Sequence, residues 1–140
     1  MNFKYKKTLP GAVAPTKAHH EDSGFDLTLV KKVKTVNKVE YYDTGISVEP
    51  PSGYYFEVYS RSSICKSGYM LANNVGIIDQ NYRGSILAAL IKIDPNAPDL
   101  ELPCKLLQMI PRQFIHLDPV CVVELSDTDR GDGGFGSTGK

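Results

Sequence analysis

Ile-Ser-Val-Glu-Pro-Pro-Ser-Gly-Tyr-Tyr-Phe-Glu-Val-Tyr, residues 46–59, alternates apolar and polar side chains on both sides of a Pro-Pro-Ser-Gly turn. Ile46 and Val48 share one face, and Tyr54, Phe56 and Val58 alternate with Tyr55, Glu57 and Tyr59. A period of two belongs to strands with one face covered, so the stretch predicts a two-strand unit. The surrounding chain has the same character, with eight tyrosines, nine prolines, twelve glycines and no window of sustained helical periodicity. Residues 86–93 are almost wholly apolar and predict a strand buried on both faces, one of them a candidate subunit interface. Short strands are also expected over residues 114–117 and 120–125, whereas residues 106–110 suit either a strand or one helical turn. Turn signals recur every ten residues or so, and the expected fold is an all-β, jelly-roll-like sandwich.

A chain of 140 residues predicts one domain, with a β-rich body over residues 1–126 and a flexible, glycine-rich lid over residues 127–140. Sixteen basic and sixteen acidic residues cancel. That balance gives no general pull toward nucleic acid or an anionic membrane, so neither is an expected partner and any phosphate site must be local. The lysines of residues 31–38 read as a solvated strand or loop face. Cys65, Cys104 and Cys121 are odd in number and lack CxxC spacing, which argues against a disulfide framework or a zinc site and fits a reducing compartment. No apolar run approaches membrane-spanning length, and residues 1–7 are polar and basic. The expectation is a soluble protein that is not secreted, cytoplasmic or, for a eukaryotic or viral source, nuclear or in the host cytoplasm.

Five stretches carry candidate chemistry. Residues 76–84, Gly-Ile-Ile-Asp-Gln-Asn-Tyr-Arg-Gly, lead two apolar residues into a lone acid, Asp79, and bring Tyr82 round just before Gly84. This reads as a hairpin that grips a small planar or sugar-like group while a carboxylate orients water; an ordinary surface turn is the competing reading. Residues 130–139 combine Arg130, five glycines, Phe135, Ser137 and Thr138. Glycines let backbone N–H groups converge on phosphate oxygens, the hydroxyls and the guanidinium add donors, and Phe135 offers a stacking face, as in a lid over a nucleotide. Asp26, two residues after Gly24, suits either metal-bound water or a turn cap. Residues 59–64 pack Arg61 among Ser60, Ser62 and Ser63, a set able to cradle phosphate. Gln108 is polar within an apolar run and must face a site or a buried partner.

Taken in order, these stretches resemble the five motifs of the trimeric deoxyuridine triphosphatases (dUTPases), over about residues 14–139. The resemblance implies a homotrimer of jelly-roll-like subunits with the C-terminal tail exchanged between them, hydrolysing dUTP to dUMP and diphosphate with Mg²⁺. That reaction lowers dUTP and supplies dUMP for dTMP synthesis. Each shared site would take the serine-containing motifs from one subunit, the hairpin from a second and the lid from a third. By the same resemblance Asp79 activates the water that attacks the α-phosphate, Tyr82 packs on deoxyribose, and backbone groups around Asn73, Gly76, Ile77, Ile78 and Leu87 read uracil. Arg61, Ser62, Ser63 and Gln108 would hold phosphates, Asp26 would reach Mg²⁺ through water, and Arg130, Phe135, Gly136, Ser137 and Thr138 would close the site. The sequence departs from the family pattern at Ser63, usually glycine, at Lys105, usually arginine, and at Leu107, usually alanine. Residues 61–64 also resemble the Arg-Ser-Ser-Leu stretch of the dCTP deaminases, which share the fold. Ala89 stands where those enzymes place a catalytic glutamate, so a deaminase would lack its general base. A nucleotide-binding module without turnover is the reading from a different class.

Overall fold

The computed structural model describes residues 1–136, and nearly all of its regular structure is strand. In chain order the strands are β1 (Lys4–Lys7), β2 (Phe25–Leu29), β3 (Lys31–Val36), β4 (Val39–Asp43), β5 (Ile46–Glu49), β6 (Tyr54–Ser60), β7 (Tyr69–Leu71), β8 (Gly76–Ile78), β9 (Leu87–Lys92) and β10 (Cys104–Gln113). One 3₁₀ helix, Ser62–Lys66, follows β6. Two four-stranded antiparallel sheets, ordered β2-β10-β6-β8 and β3-β4-β9-β7, are joined by a two-stranded β1-β5 ribbon. The alternation seen in the sequence decides what lies between them. Leu27, Leu29, Phe56, Val58, Ile78, Leu107 and Met109 of the first sheet join Tyr42, Tyr69, Leu71, Ala88 and Leu90 of the second in one buried cluster, with Ile46 and Val48 of β5. Glu40 enters this interior only with partners: the Tyr42 hydroxyl donates to its Oε1 at 2.5 Å, and Lys32 Nζ lies 3.3 Å away. Burial, reinforced by that hydrogen bond, pushes the Tyr42 hydroxyl far above the usual tyrosine range. β3 is exposed along its whole length, and its lysines line an open sheet edge, where charge discourages strand addition.

Several local expectations change. Residues 46–59 do form two strands, but β5 pairs with β1 while β6 pairs with β10 and β8, so they are not a two-strand unit. Residues 76–84 are likewise a turn without a hairpin: β8 pairs with β6 in one sheet and β9 with β4 and β7 in the other. Period-two patterning assigns faces and is silent about neighbours, which is why both pairings escape it. β9 buries Ala88 and Leu90, whereas Leu87 on its other face is 42 % exposed. Residues 106–110 resolve as strand within β10. Residues 114–136 contain no strand. The apolar side chains that suggested strands there, including Ile115, Leu117, Val120 and Leu125, are exposed because no strand of this chain stands beside them.

Candidate functional site

β10 lies between β2 and β6, and its register sets Gln108 opposite Asp26 on one side and Tyr59 on the other. Beyond β6 the chain stays extended through Arg61 and then tightens into the 3₁₀ helix, which Ile64 anchors in the core. Arg61 is thereby fixed at three points. Its Nε lies 3.0 Å from Asp26 Oδ1, its Nη1 donates to the Lys105 carbonyl at 3.0 Å, and its backbone N–H donates to the Leu106 carbonyl at 2.8 Å. Ser63 Oγ reaches the same Lys105 carbonyl at 3.4 Å, and Ser62 is exposed beside it. The Gln108 amide donates to the Ser60 carbonyl at 3.1 Å and lies over Gly24, where a methyl group would overlap its Oε1. Asp26, Arg61, Ser62, Ser63 and Gln108 are therefore brought together as a pre-positioned guanidinium flanked by hydroxyl and amide groups, a set suited to phosphate oxygens.

Asp79 and Tyr82 stand exposed on one turn, closed by the Tyr82 N–H donating to the Asp79 carbonyl at 3.0 Å. Buried Ile78 pins the turn to the core, while Ile77 points outward and Gly76 packs against Val58. Neighbours brace it from behind. Gln80 Nε2 donates to the Pro51 carbonyl at 3.3 Å, and Arg83 Nη1 spans the carbonyls of Gln80 and Tyr82 at 2.7 and 3.1 Å. The other end of that guanidinium lies 3.7 Å from Glu49. Asp79 borders an open groove of about 780 Å³, lined also by Ile77, Asn81, Tyr55, Gln113 and Phe114. Asn73 and Leu87 flank the same segment, Asn73 just before β8 and Leu87 at the start of β9.

One chain does not unite the two groups. Ile78 pairs with Phe56 near the start of β6, which puts Asp79 beside that end, whereas Arg61 follows the last residue of β6. At about 3.3 Å per residue the intervening strand separates them by roughly 20 Å. The described part of the tail, residues 127–136, joins neither: Arg130 Nε donates to the Gly133 carbonyl at 2.7 Å, Gly131 N–H donates to Thr128 Oγ1 at 3.1 Å, and Phe135 is fully exposed. Phe135 and Gly136 both have positive φ. Ser137 and Thr138 lie outside the described residues. No group of three or more His, Cys, Asp or Glu side chains among the described residues forms a metal cluster. Among the described residues Asp26 offers a carboxylate beside the cradle, a donor that fits Mg²⁺ held mainly by water and phosphate oxygens.

Other groups emerge only from the register. On the outward face of β6 and β10, Glu57 accepts from the Tyr59 hydroxyl at 2.7 Å, from Arg112 Nε at 2.7 Å and from the Tyr55 hydroxyl at 3.1 Å. The Tyr59 bond first, then Arg112, holds the Glu57 carboxyl below its ordinary value. Alternation places Tyr55, Glu57 and Tyr59 on one face, but Arg112 lies more than fifty residues away in sequence.

Three comparisons bear on this geometry. The dUTPase family model matches residues 11–139. The deoxyuridine 5'-triphosphate nucleotidohydrolases of a Picosynechococcus species and of Clostridioides difficile are each 36 % identical, covering 99 % of this chain and 99 % and 98 % of their own lengths. Among solved structures, the Staphylococcus bacteriophage 80alpha dUTPase with dUpNHpp superposes with a TM-score of 0.83 at 21 % identity, over 99 % of both chains. The Streptococcus mutans dUTPase gives 0.71 at 22 % identity, over 85 % of this chain and all of its own.

Proposed function

Because the chain belongs to the dUTPase family, and so is a dUTP diphosphatase, we propose that Asp79 is the carboxylate that orients and deprotonates the water attacking the α-phosphorus of dUTP. The observation that carries this reading is the pair Asp79 and Tyr82, exposed on one turn that the protein braces at Gln80 and Arg83. Phosphoryl transfer needs in-line placement of water and relief of charge on the leaving diphosphate. Asp79 supplies the first, and Arg61, Ser62, Ser63 and Gln108 supply part of the second by binding phosphate oxygens. Asp26 would hold Mg²⁺ through water, and that ion, when bound, supplies further charge neutralisation on the phosphates.

Tyr82 lies against the deoxyribose, where its ring leaves no space for a 2′-hydroxyl. Backbone groups of Asn73, Gly76, Ile77, Ile78 and Leu87 read the N3–H donor and O4 acceptor of uracil, a pattern that cytosine inverts. The separation of Asp79 from Arg61 supports a homotrimer in which each site draws the two from different subunits, with a third lending Arg130, Phe135, Gly136, Ser137 and Thr138 from residues 127–140 as the lid. The exposed apolar residues of 114–125 support chain exchange along the way to that lid. Among the described residues no helix is long and apolar enough to cross a membrane; we place the enzyme in the cytoplasm, where nucleotide pools are made.

The experiment is a product assay with Mg²⁺ and dUTP, dCTP, UTP or dTTP, following diphosphate and ammonia. Diphosphate from dUTP alone is expected. Asp79→Asn should lower turnover about 10²-fold or more with folding intact. A mutant that hydrolyses dUTP at the normal rate would remove Asp79 from this role, and ammonia from dCTP would favour deaminase chemistry despite Ala89.

A further inference from the structure

Tyr82 is held in place by a relay of side chains that contains neither phosphate nor base ligands. Its hydroxyl donates to the Ser85 carbonyl at 2.9 Å, and its ring lies over Gly84, where a methyl group would overlap the ring atoms. The Ser85 side chain turns the other way and donates its hydroxyl to Asp43 Oδ1 at the end of β4. That oxygen also accepts the Gly45 N–H at 2.7 Å. With its one proton committed to Asp43, Ser85 Oγ accepts from Thr8 Oγ1, 3.2 Å away. The next residue is locked as well: the Ile86 N–H donates to the Ile46 carbonyl at 2.8 Å, and the Ile86 carbonyl accepts from Thr44 Oγ1 at 2.8 Å. Ser85 and its carbonyl therefore cannot drift without breaking bonds to Asp43 of β4, to Ile46 of β5 and to Thr8 just beyond β1.

We propose that Asp43 and Ser85, with Thr8 behind them, are positioning residues for sugar selectivity: they set the direction of the Ser85 carbonyl and through it the plane of the Tyr82 ring. A ring that excludes a 2′-hydroxyl by contact must be placed to within a fraction of an ångström, since an excluded oxygen is scarcely larger than the gap that a tilted ring opens. Asp43 is suited to the task because one oxygen of its side chain accepts both from the Ser85 hydroxyl and from the Gly45 backbone N–H, which fixes its direction. The inference rests on the reading of Tyr82 as the residue facing the sugar.

The test is the ratio of kcat/KM for dUTP to that for UTP, measured in Ser85→Ala, Asp43→Ala, Asp43→Asn and Tyr82→Ala. Ser85→Ala and Asp43→Ala are expected to reduce the ratio about five- to tenfold, the scale of one ordinary hydrogen bond, mainly by raising UTP turnover relative to dUTP. Asp43→Asn retains an acceptor oxygen and should keep most of the selectivity. A purely structural role would lower both substrates alike and leave the ratio unchanged, and that result in Ser85→Ala and Asp43→Ala overturns the proposal. Tyr82→Ala separates the two levels. If it abolishes selectivity while the other variants keep it, the relay is refuted and Tyr82 stands; if it leaves selectivity intact, the sugar-facing reading of Tyr82 is itself wrong and the relay falls with it.

Discussion

Gly24 is glycine because the Gln108 amide occupies the space a side chain would need. Gly24→Ala should push that amide off its bond to the Ser60 carbonyl and crowd the Gln108 Cβ, 3.0 Å from the added methyl, so dUTP binding weakens several-fold and the melting temperature falls modestly. A KM unchanged from the parent would show that Gln108 is not a phosphate ligand. At this scale the sequence was eloquent where chemistry demands a residue type: an acid and an aromatic on one turn, a guanidinium among serines. It was mute about Gly24, Asp43 and Ser85, whose importance depends on who stands opposite. Asp43 meets Ser85 across 42 positions, and Gly24 meets Gln108 across a strand register that alternation does not encode.

β6 carries a charged network on the protein's outward face, with Glu57 accepting from Tyr55, Tyr59 and Arg112. Glu57 has a lowered pKa in the folded state, so its bonds from the Tyr59 hydroxyl and then Arg112 add stability above the ordinary carboxylate value and lose it as the pH falls through the folded value. Wild-type protein should therefore lose more stability between about pH 5 and about pH 3 than Glu57→Gln, in denaturant melts at each pH. Parallel curves for the two proteins would exclude a stabilising role. The segment after β10 makes the opposite case, with no strand and almost every side chain exposed over residues 114–136. Residues 128–136 are largely exposed and glycine-rich, so deleting residues 129–140 should leave thermal unfolding nearly unchanged while kcat falls strongly. A large fall in melting temperature would make the tail part of the assembled scaffold. The strand content was legible from period-two patterning, but the strands expected at 114–117 and 120–125 were not formed, because apolar alternation describes what a segment is able to pair with and not whether a neighbour is present.

Across the whole molecule, all-β architecture and the two-layer core could be read from composition and alternation, while sheet membership could not: β5 and β6, adjacent in sequence, lie in different sheets. The same topology sends β8 antiparallel to β6 and so sets Asp79 and Arg61 at opposite ends of one strand. That separation has a genetic consequence. Asp79→Asn and Arg61→Ala are each expected to be inactive as pure proteins, yet when unfolded and refolded together they should complement one another, because a site assembled from an intact Arg61 of one chain and an intact Asp79 of another contains no lesion. Random mixing would restore roughly a quarter of the sites, and a mixture that stayed silent would show that each chain must work with its own acid.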